Sequence, residues 1–380
     1  MKTLWHISRV LLGLVFIFSG FVKGIDPWGS AYKFADYFAA WGMEALTPLA
    51  LPLGILLSSA EFIIGTVLVA NVFISFFSVA SLLFVIFFAG LTFFIALYNP
   101  VTDCGCFGDA LKLTNWQTFL KNLLLLALAV TVFRYRKNFA AKNLSPLPYI
   151  LSGLIVVTFA NLVGWSYNHL PIIDFLPFKV GTNIPEAMSV PENASKDVYK
   201  NTFFYKNRKT GETRKFTEEN YPWQDSLSWE FVSMDTKLMR KGYEPPIRNF
   251  TMESNEGEDQ KEFFLYDPGY TFIFVVYDQE KADVSNLTPV RQLAAYAGIN
   301  EINFIGLTSA TPQSTEHFKA KNNLGFDFLS CDQTTLKTMI RSNPGLILLR
   351  NGVILDKWHY NDFPSIREFE NERAYLEQKR

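Results

Sequence analysis

Five apolar runs, at residues 7–22, 49–70, 72–97, 116–133 and 149–167, dominate the first half of the chain. Each is close to the roughly 20 residues a helix needs to cross about 30 Å of hydrocarbon. A soluble domain can bury one such run as a core helix, but not five in succession. The expectation is an integral membrane protein with about five transmembrane helices and a soluble domain after them.

Charge is distributed accordingly. A net charge of −1 with 19% charged residues would suit an ordinary soluble enzyme. Between residues 10 and 133, however, charges are few, whereas from 179 to 380 they are dense and of both signs. That contrast separates a hydrocarbon environment, where a charge at a helix centre costs about 2.5–3.5 kcal/mol, from an aqueous one. No basic block is present, so nucleic acid is not an expected partner; the lipid bilayer is. Lys2 and Arg9 stand at the start of the first run, and Arg134, Arg136, Lys137 and Lys142 separate the fourth from the fifth. The loop at 99–113 carries only Lys112. By the positive-inside bias the basic ends face the cytoplasm, and the loops 26–47 and 99–115 and the whole C-terminal domain face outward. Lys2 and Arg9 before an apolar stretch would also suit a cleaved signal peptide, but no A-x-A-like site follows.

Two ionisable residues stand out in the apolar half, Glu61 and Lys23. Glu61 lies about twelve residues into the second run, roughly 18 Å deep at 1.5 Å per residue. An intramembrane carboxyl should face the bundle, as a structural hydrogen bond or as a proton or ligand site. Lys23 ends the first run, where it either snorkels to the interface or pairs with Glu61.

The outer loop between the third and fourth runs reads Asp103-Cys104-Gly105-Cys106-Phe107-Gly108 and holds two of only three cysteines. Outside the cytoplasm such a pair can close a small disulfide ring, with Gly105 supplying the backbone freedom. So short a ring is strained, and strained, exposed disulfides exchange more readily than structural ones. A static disulfide, or two free thiols packing a tight loop, is the alternative. No second cysteine pair or histidine cluster accompanies the loop, so no metal site is expected.

Phe18-Ser19-Gly20-Phe21-Val22-Lys23, Glu61-x-x-x-Gly65 and the Cys104-Gly105-Cys106-Phe107-Gly108 loop, in that order, resemble the DoxX-type membrane proteins, in particular the branch that includes the methylamine-utilisation protein MauE. The resemblance covers residues 5–135. It implies a four-helix core shared with the quinone-linked disulfide-forming membrane proteins of the bacterial inner membrane. Cys104 and Cys106 would then be the catalytic pair, a quinone the electron acceptor, and an extracytoplasmic protein the partner. The disulfide-forming enzymes carry a second, shuttling cysteine pair, whereas residues 26–47 contain no cysteine.

Residues 170–240 read as polar and irregular apart from a strand and hairpin turn at 205–212. Farther on, strands are expected at 271–277 and 303–307 and helices near 287–297 and 313–323. A hairpin at 345–350 and 353–358 turns through Asn351-Gly352, and a charged helix begins at Ser365. Periodicity supports an α/β arrangement. With Pro344 as a candidate cis-proline before the hairpin, residues 245–378 resemble a thioredoxin fold. The resemblance places a CxxC pair where this chain has Asp278-Gln279-Glu280-Lys281, so dithiol exchange by this domain is not expected. Cys331 reads as a buried, inert core cysteine.

The expected plan is a DoxX/MauE-like four-helix membrane domain at 1–140, a fifth transmembrane helix at 141–170, an extracytoplasmic connecting region at 171–244 and a thioredoxin-like domain without CxxC at 245–380. Two functions suit it: a membrane thiol-disulfide redox protein, or a non-enzymatic scaffold whose soluble domain captures an extracytoplasmic partner.

Overall fold

The computed structural model describes residues 1–101, 103–139 and 145–378. Among them, five helices are long and apolar enough to cross a membrane. They are α1 (Lys2–Gly24), α3 (Ala50–Ala70, preceded by a 3₁₀ turn), α4 (Ile74–Tyr98), α5 (Asn115–Phe139) and α6 (Pro146–Asn168). Between α1 and α3 the expected outer loop is instead largely a helix, α2 (Pro27–Ala40). Its start is encoded locally: Pro27 occupies the first turn, and the Asp26 carboxylate caps it by accepting from Gly29 N at 2.8 Å. Lys142, counted above among the basic residues, lies outside the described residues.

Helices α1 and α3 pack backbone against backbone. A Cβ on Gly20 would stand 2.6 Å from Phe62 N and Ser58 O, and one on Gly65 would stand 2.6 Å from Gly13 O. Small residues permit this approach, which is how apolar helices gain contact where lipid supplies no hydrophobic drive. Trp5 Nε1 donates to Val132 O at 3.1 Å, tying the start of α1 to α5. Phe62 and Phe159 stack with ring centroids 3.9 Å apart, tying α3 to α6. The outward faces keep large apolar side chains such as Phe76, Phe87, Leu124 and Ile150 exposed, as a lipid-facing surface requires.

Residues Asn183–Asn249 form a compact unit of their own. After α7 (Ile184–Met188) come β1 (Val198–Asn207), β2 (Thr213–Thr217) and β3 (Trp229–Arg240), an antiparallel sheet in the order β2-β1-β3. The expectation of an irregular stretch is corrected here. Charged residues interrupt every strand and β3 is exposed along nearly its whole length, so there is no apolar alternation to read.

The remaining segment, from Phe250, belongs to the same compact unit as the membrane helices. It runs through α8 (Lys261–Leu265), β4 (Tyr270–Val276), α9 (Thr288–Ile299), β5 (Asn303–Thr308), α10 (Pro312–Asn322), β6 (Phe328–Ser330), α11 (Gln333–Met339), β7 (Gly345–Arg350), β8 (Val353–His359) and α12 (Ile366–Gln378). The sheet order is β6-β5-β4-β7-β8, with β4, β5 and β6 parallel and β7 and β8 antiparallel to their neighbours. β4 is buried at every position, and Phe272 and Phe274 anchor a core between the sheet and α9, α10 and α12. Burying each ring contributes about 1.5–3 kcal/mol. β6 and α11 were not expected; three residues of strand are too short to show a period. The Asn343-Pro344 bond is cis, directly before β7.

Candidate functional site

The loop between α4 and α5 is shaped by its own glycines. Gly105 has φ +65° and Gly108 φ +52°, both in the left-handed region, and Gly108 N donates to Gly105 O at 3.0 Å. Asp103 Oδ1 accepts from Gly105 N at 3.0 Å, which closes the turn on its other side. Three helices then fix the loop. Ser19 of α1 donates to Cys106 O at 2.8 Å, Tyr37 of α2 donates to Cys104 O at 3.1 Å, and Lys33 of α2 pairs with Asp103 at 3.0 Å. Lys121 of α5 stands over the Phe107 ring, 4.4 Å from its centroid.

Held in this way, the Cys104 and Cys106 sulfurs lie 3.1 Å apart as a pair of thiols. Their environments push them in opposite directions. The Cys106 thiol is pulled down to about 6, first by the hydrogen bond from Cys104 and then by the charges of Lys121 and Lys23, against the opposing effect of burial. The same hydrogen bond, with burial, raises the Cys104 thiol. At neutral pH the reduced pair is therefore one thiol donating to one thiolate. Burial likewise raises the Tyr37 phenol, keeping it a donor.

Both cysteines open onto a cavity of about 580 Å³ inside the bundle. Its walls are mostly apolar, with Phe16, Phe84, Phe88 and Leu125 among them, and Asn122, Lys23 and Glu61 supply polar groups. Asn122 donates to Thr92 Oγ1 at 3.0 Å. Lys23 Nζ lies 2.5 Å from Glu61 Oε2, with both side chains buried. Of the two readings of Lys23, pairing is the one the structure has. Size and lining fit a mostly apolar small molecule oriented by a few polar groups.

Lys121 escaped the reading of the sequence although it lies inside the run at 116–133, five residues from its start. Arg341, just before the cis-proline, was also missed. It is buried and forks between Asp26 at 3.0 Å and Asp109 at 2.9 Å. Tyr277 OH, at the end of β4, is 2.9 Å from Tyr32 OH of α2. These contacts seat the C-terminal domain on α2 and the cysteine loop. Pro344 itself is not among the residues that line the cavity. Cys331 lies far from the loop in sequence, is 4% exposed, and burial pushes its thiol up to about 12. Among the described residues, no cluster of three or more His, Cys, Asp or Glu side chains could hold a metal ion.

Residues 1–134 match the family model described as Methylamine utilisation protein MauE, and residues 199–241 match a Domain of unknown function (DUF8463). Among curated proteins, the chain is similar to Protein TlpB of Flavobacterium psychrophilum, 25% identical over 169 residues. The match covers 40% of this chain and 42% of that protein, so the chain spans less than half the length of this relative. No solved structure matches. Together with the five apolar helices, the family match supports a MauE-type, multi-pass membrane protein.

Proposed function

We propose that this is a membrane thiol-disulfide oxidoreductase in which Cys104 and Cys106 take electrons from the thiols of an extracytoplasmic protein and deliver them into the cavity. The observation that carries this reading is the asymmetric sulfur pair, 3.1 Å apart, opening on that cavity. A partner thiolate attacks Cys104 of the oxidised pair, because Cys106, with the lower proton affinity, is the better leaving group. The partner's second thiol then resolves the mixed disulfide. The partner loses two electrons and two protons, Cys104 regains one proton, Cys106 remains a thiolate, and the other proton passes to water.

The apolar walls and the few polar groups of the cavity fit a quinone, held by Phe84 and Phe88 with Asn122, Lys23 and Glu61 at its polar edge. When bound, a quinone accepts two electrons and two protons. The residues of the chain supply the remainder: Ser19 and Tyr37 hold the cysteine backbone, and Lys121 stabilises the thiolate. The basic residues Arg134, Arg136 and Lys137 support a cytoplasmic end opposite the cysteine loop, in a bacterial inner membrane with the C-terminal domain periplasmic. The strand order supports a thioredoxin-like fold for that domain. Asp278-Gln279-Glu280-Lys281 leaves it without a dithiol, which favours a binding role for this half, as in the scaffold reading.

The test is to trap the exchange. In membranes, Cys106→Ser should accumulate a reducible mixed disulfide through Cys104 to an extracytoplasmic protein. Absence of any adduct from both Cys106→Ser and Cys104→Ser would sink the proposal.

A further inference from the structure

Lys23 and Glu61 meet on the facing helices α1 and α3, and both line the cavity that Cys106 lines. Removing two charges from water costs several kcal/mol per ion, and their mutual attraction offsets this only partly. Two apolar side chains would pack this position at lower cost, so the pair calls for a role. The proton count of the cysteine pair supplies one. At neutral pH the reduced pair carries a single proton, on Cys104, because Cys106 is a thiolate. Re-forming the disulfide releases two electrons and that one proton. An acceptor of the quinone class needs two of each.

We propose that Lys23, held toward the cavity by Glu61, is the source of the second proton, giving it up to the acceptor as the Cys104–Cys106 disulfide closes and regaining it from water. The inference rests on the redox reading above. Charge balances within the cavity. Beforehand, the thiolate carries one negative charge beside a neutral ion pair; afterwards the disulfide is neutral and Glu61 retains the negative charge beside an uncharged Lys23. No net charge is created in a low-dielectric space, where it would be costly. Of the other ammonium groups on this cavity, Lys33 is paired with Asp103, and Lys121 lies against Phe107 and acts on Cys106 through its charge.

The experiment uses full-length protein in detergent, reduced and freed of reductant, with disulfide closure followed by alkylation gel-shift after mixing with one of two acceptors. Decylubiquinone requires protons; ferrocenium takes electrons alone. Lys23→Arg keeps the cation beside Glu61 but replaces it with a group that does not release its proton. It should close the disulfide about 100-fold more slowly than wild type with decylubiquinone, the scale of a lost general acid, and at the wild-type rate with ferrocenium. Its cysteine-pair midpoint potential should equal that of wild type, which excludes a fold or charge effect. Lys121→Arg, which alters the charge beside Cys106, should change the rate by the same factor with both acceptors. Equal rates for Lys23→Arg and wild type with decylubiquinone, equal slowing with both acceptors, or the acceptor-specific loss appearing in Lys121→Arg instead would each overturn the proposal. Wild-type protein that closes its disulfide with ferrocenium but not with decylubiquinone removes the quinone-class acceptor, and the proton donor with it.

Discussion

Arg341 and Asp26, 315 residues apart in the chain, meet with Nε 3.1 and 3.0 Å from the two carboxylate oxygens. Asp26 also caps α2, so one carboxylate both starts the helix over the cysteine loop and receives the sheet. Nη2 of the same arginine reaches Asp109, three residues beyond Cys106. Removing the cation leaves two carboxylates facing each other. Arg341→Met should therefore cost about 3–5 kcal/mol, the usual penalty for breaking a buried pair from one side. Lower thermal midpoints in detergent are expected for this variant and, to a lesser degree, for Arg341→Lys, which cannot fork. An unchanged midpoint for Arg341→Met would show that the contact contributes nothing to the fold.

The cysteine pair makes a second prediction, through pH. Iodoacetamide reacts with the thiolate, so alkylation of the reduced protein should rise through a midpoint at about 6, the value set for Cys106. Lys121→Gln should move the midpoint upward by removing a favourable charge, and Cys104→Ala should move it further by removing the largest cause. Cys331, pushed up to about 12, should stay unmodified in the folded protein throughout. A wild-type midpoint near that of a free thiol would contradict the asymmetry of the pair.

His359 is 1% exposed, and burial holds its imidazole down at about 4. The unfolded chain takes up a proton near 6.5 that the folded chain refuses until about 4. The stability linked to this group is present above about 6.5 and is lost as pH falls through that window. Unfolding midpoints measured from pH 7 to 4 should fall more steeply for wild type than for His359→Gln. Parallel curves would mean that the ring reaches water.

The side of the membrane is testable independently. The cysteine loop contacts Ser19, late in α1, whereas Arg9, early in α1, donates to Val69 O at 2.8 Å at the far end of α3. The loop and the basic termini thus lie at opposite ends of the bundle. An alkaline phosphatase fusion after Asn168 should be active. Activity only from a cytoplasmic reporter at that position would reverse the orientation.

Much of this architecture was legible in the residues. Apolar runs announce their helices because lipid leaves the backbone no other way to satisfy its hydrogen bonds. Asn351-Gly352 announced its hairpin for an equally local reason, a turn that needs two positive φ values. Cys104, Cys106, Glu61 and Lys23 stood out because each is unusual where it occurs. What stayed hidden was placement. Nothing near Arg341 in sequence indicates that Asp26 and Asp109 are its partners, since the three meet only after the sheet docks. Helix α2 mixes aromatic, small and charged residues: Ala31 and Phe38 pack toward Ala50 of α3, while Tyr32 meets Tyr277 and Lys33 meets the cysteine loop, so no single apolar face was available to read. The strands β1–β3 carry charges along both faces, which erases the period of two.

The most direct test of the central claim is a redox titration of the full-length protein, followed by alkylation gel-shift. Cys104 and Cys106 should convert together between dithiol and disulfide at a potential well above the roughly −300 mV below which structural disulfides usually lie, because stabilising the Cys106 thiolate favours the reduced form. A pair that stays oxidised throughout that range, or that is found wholly reduced and resistant to oxidation in isolated membranes, would contradict it.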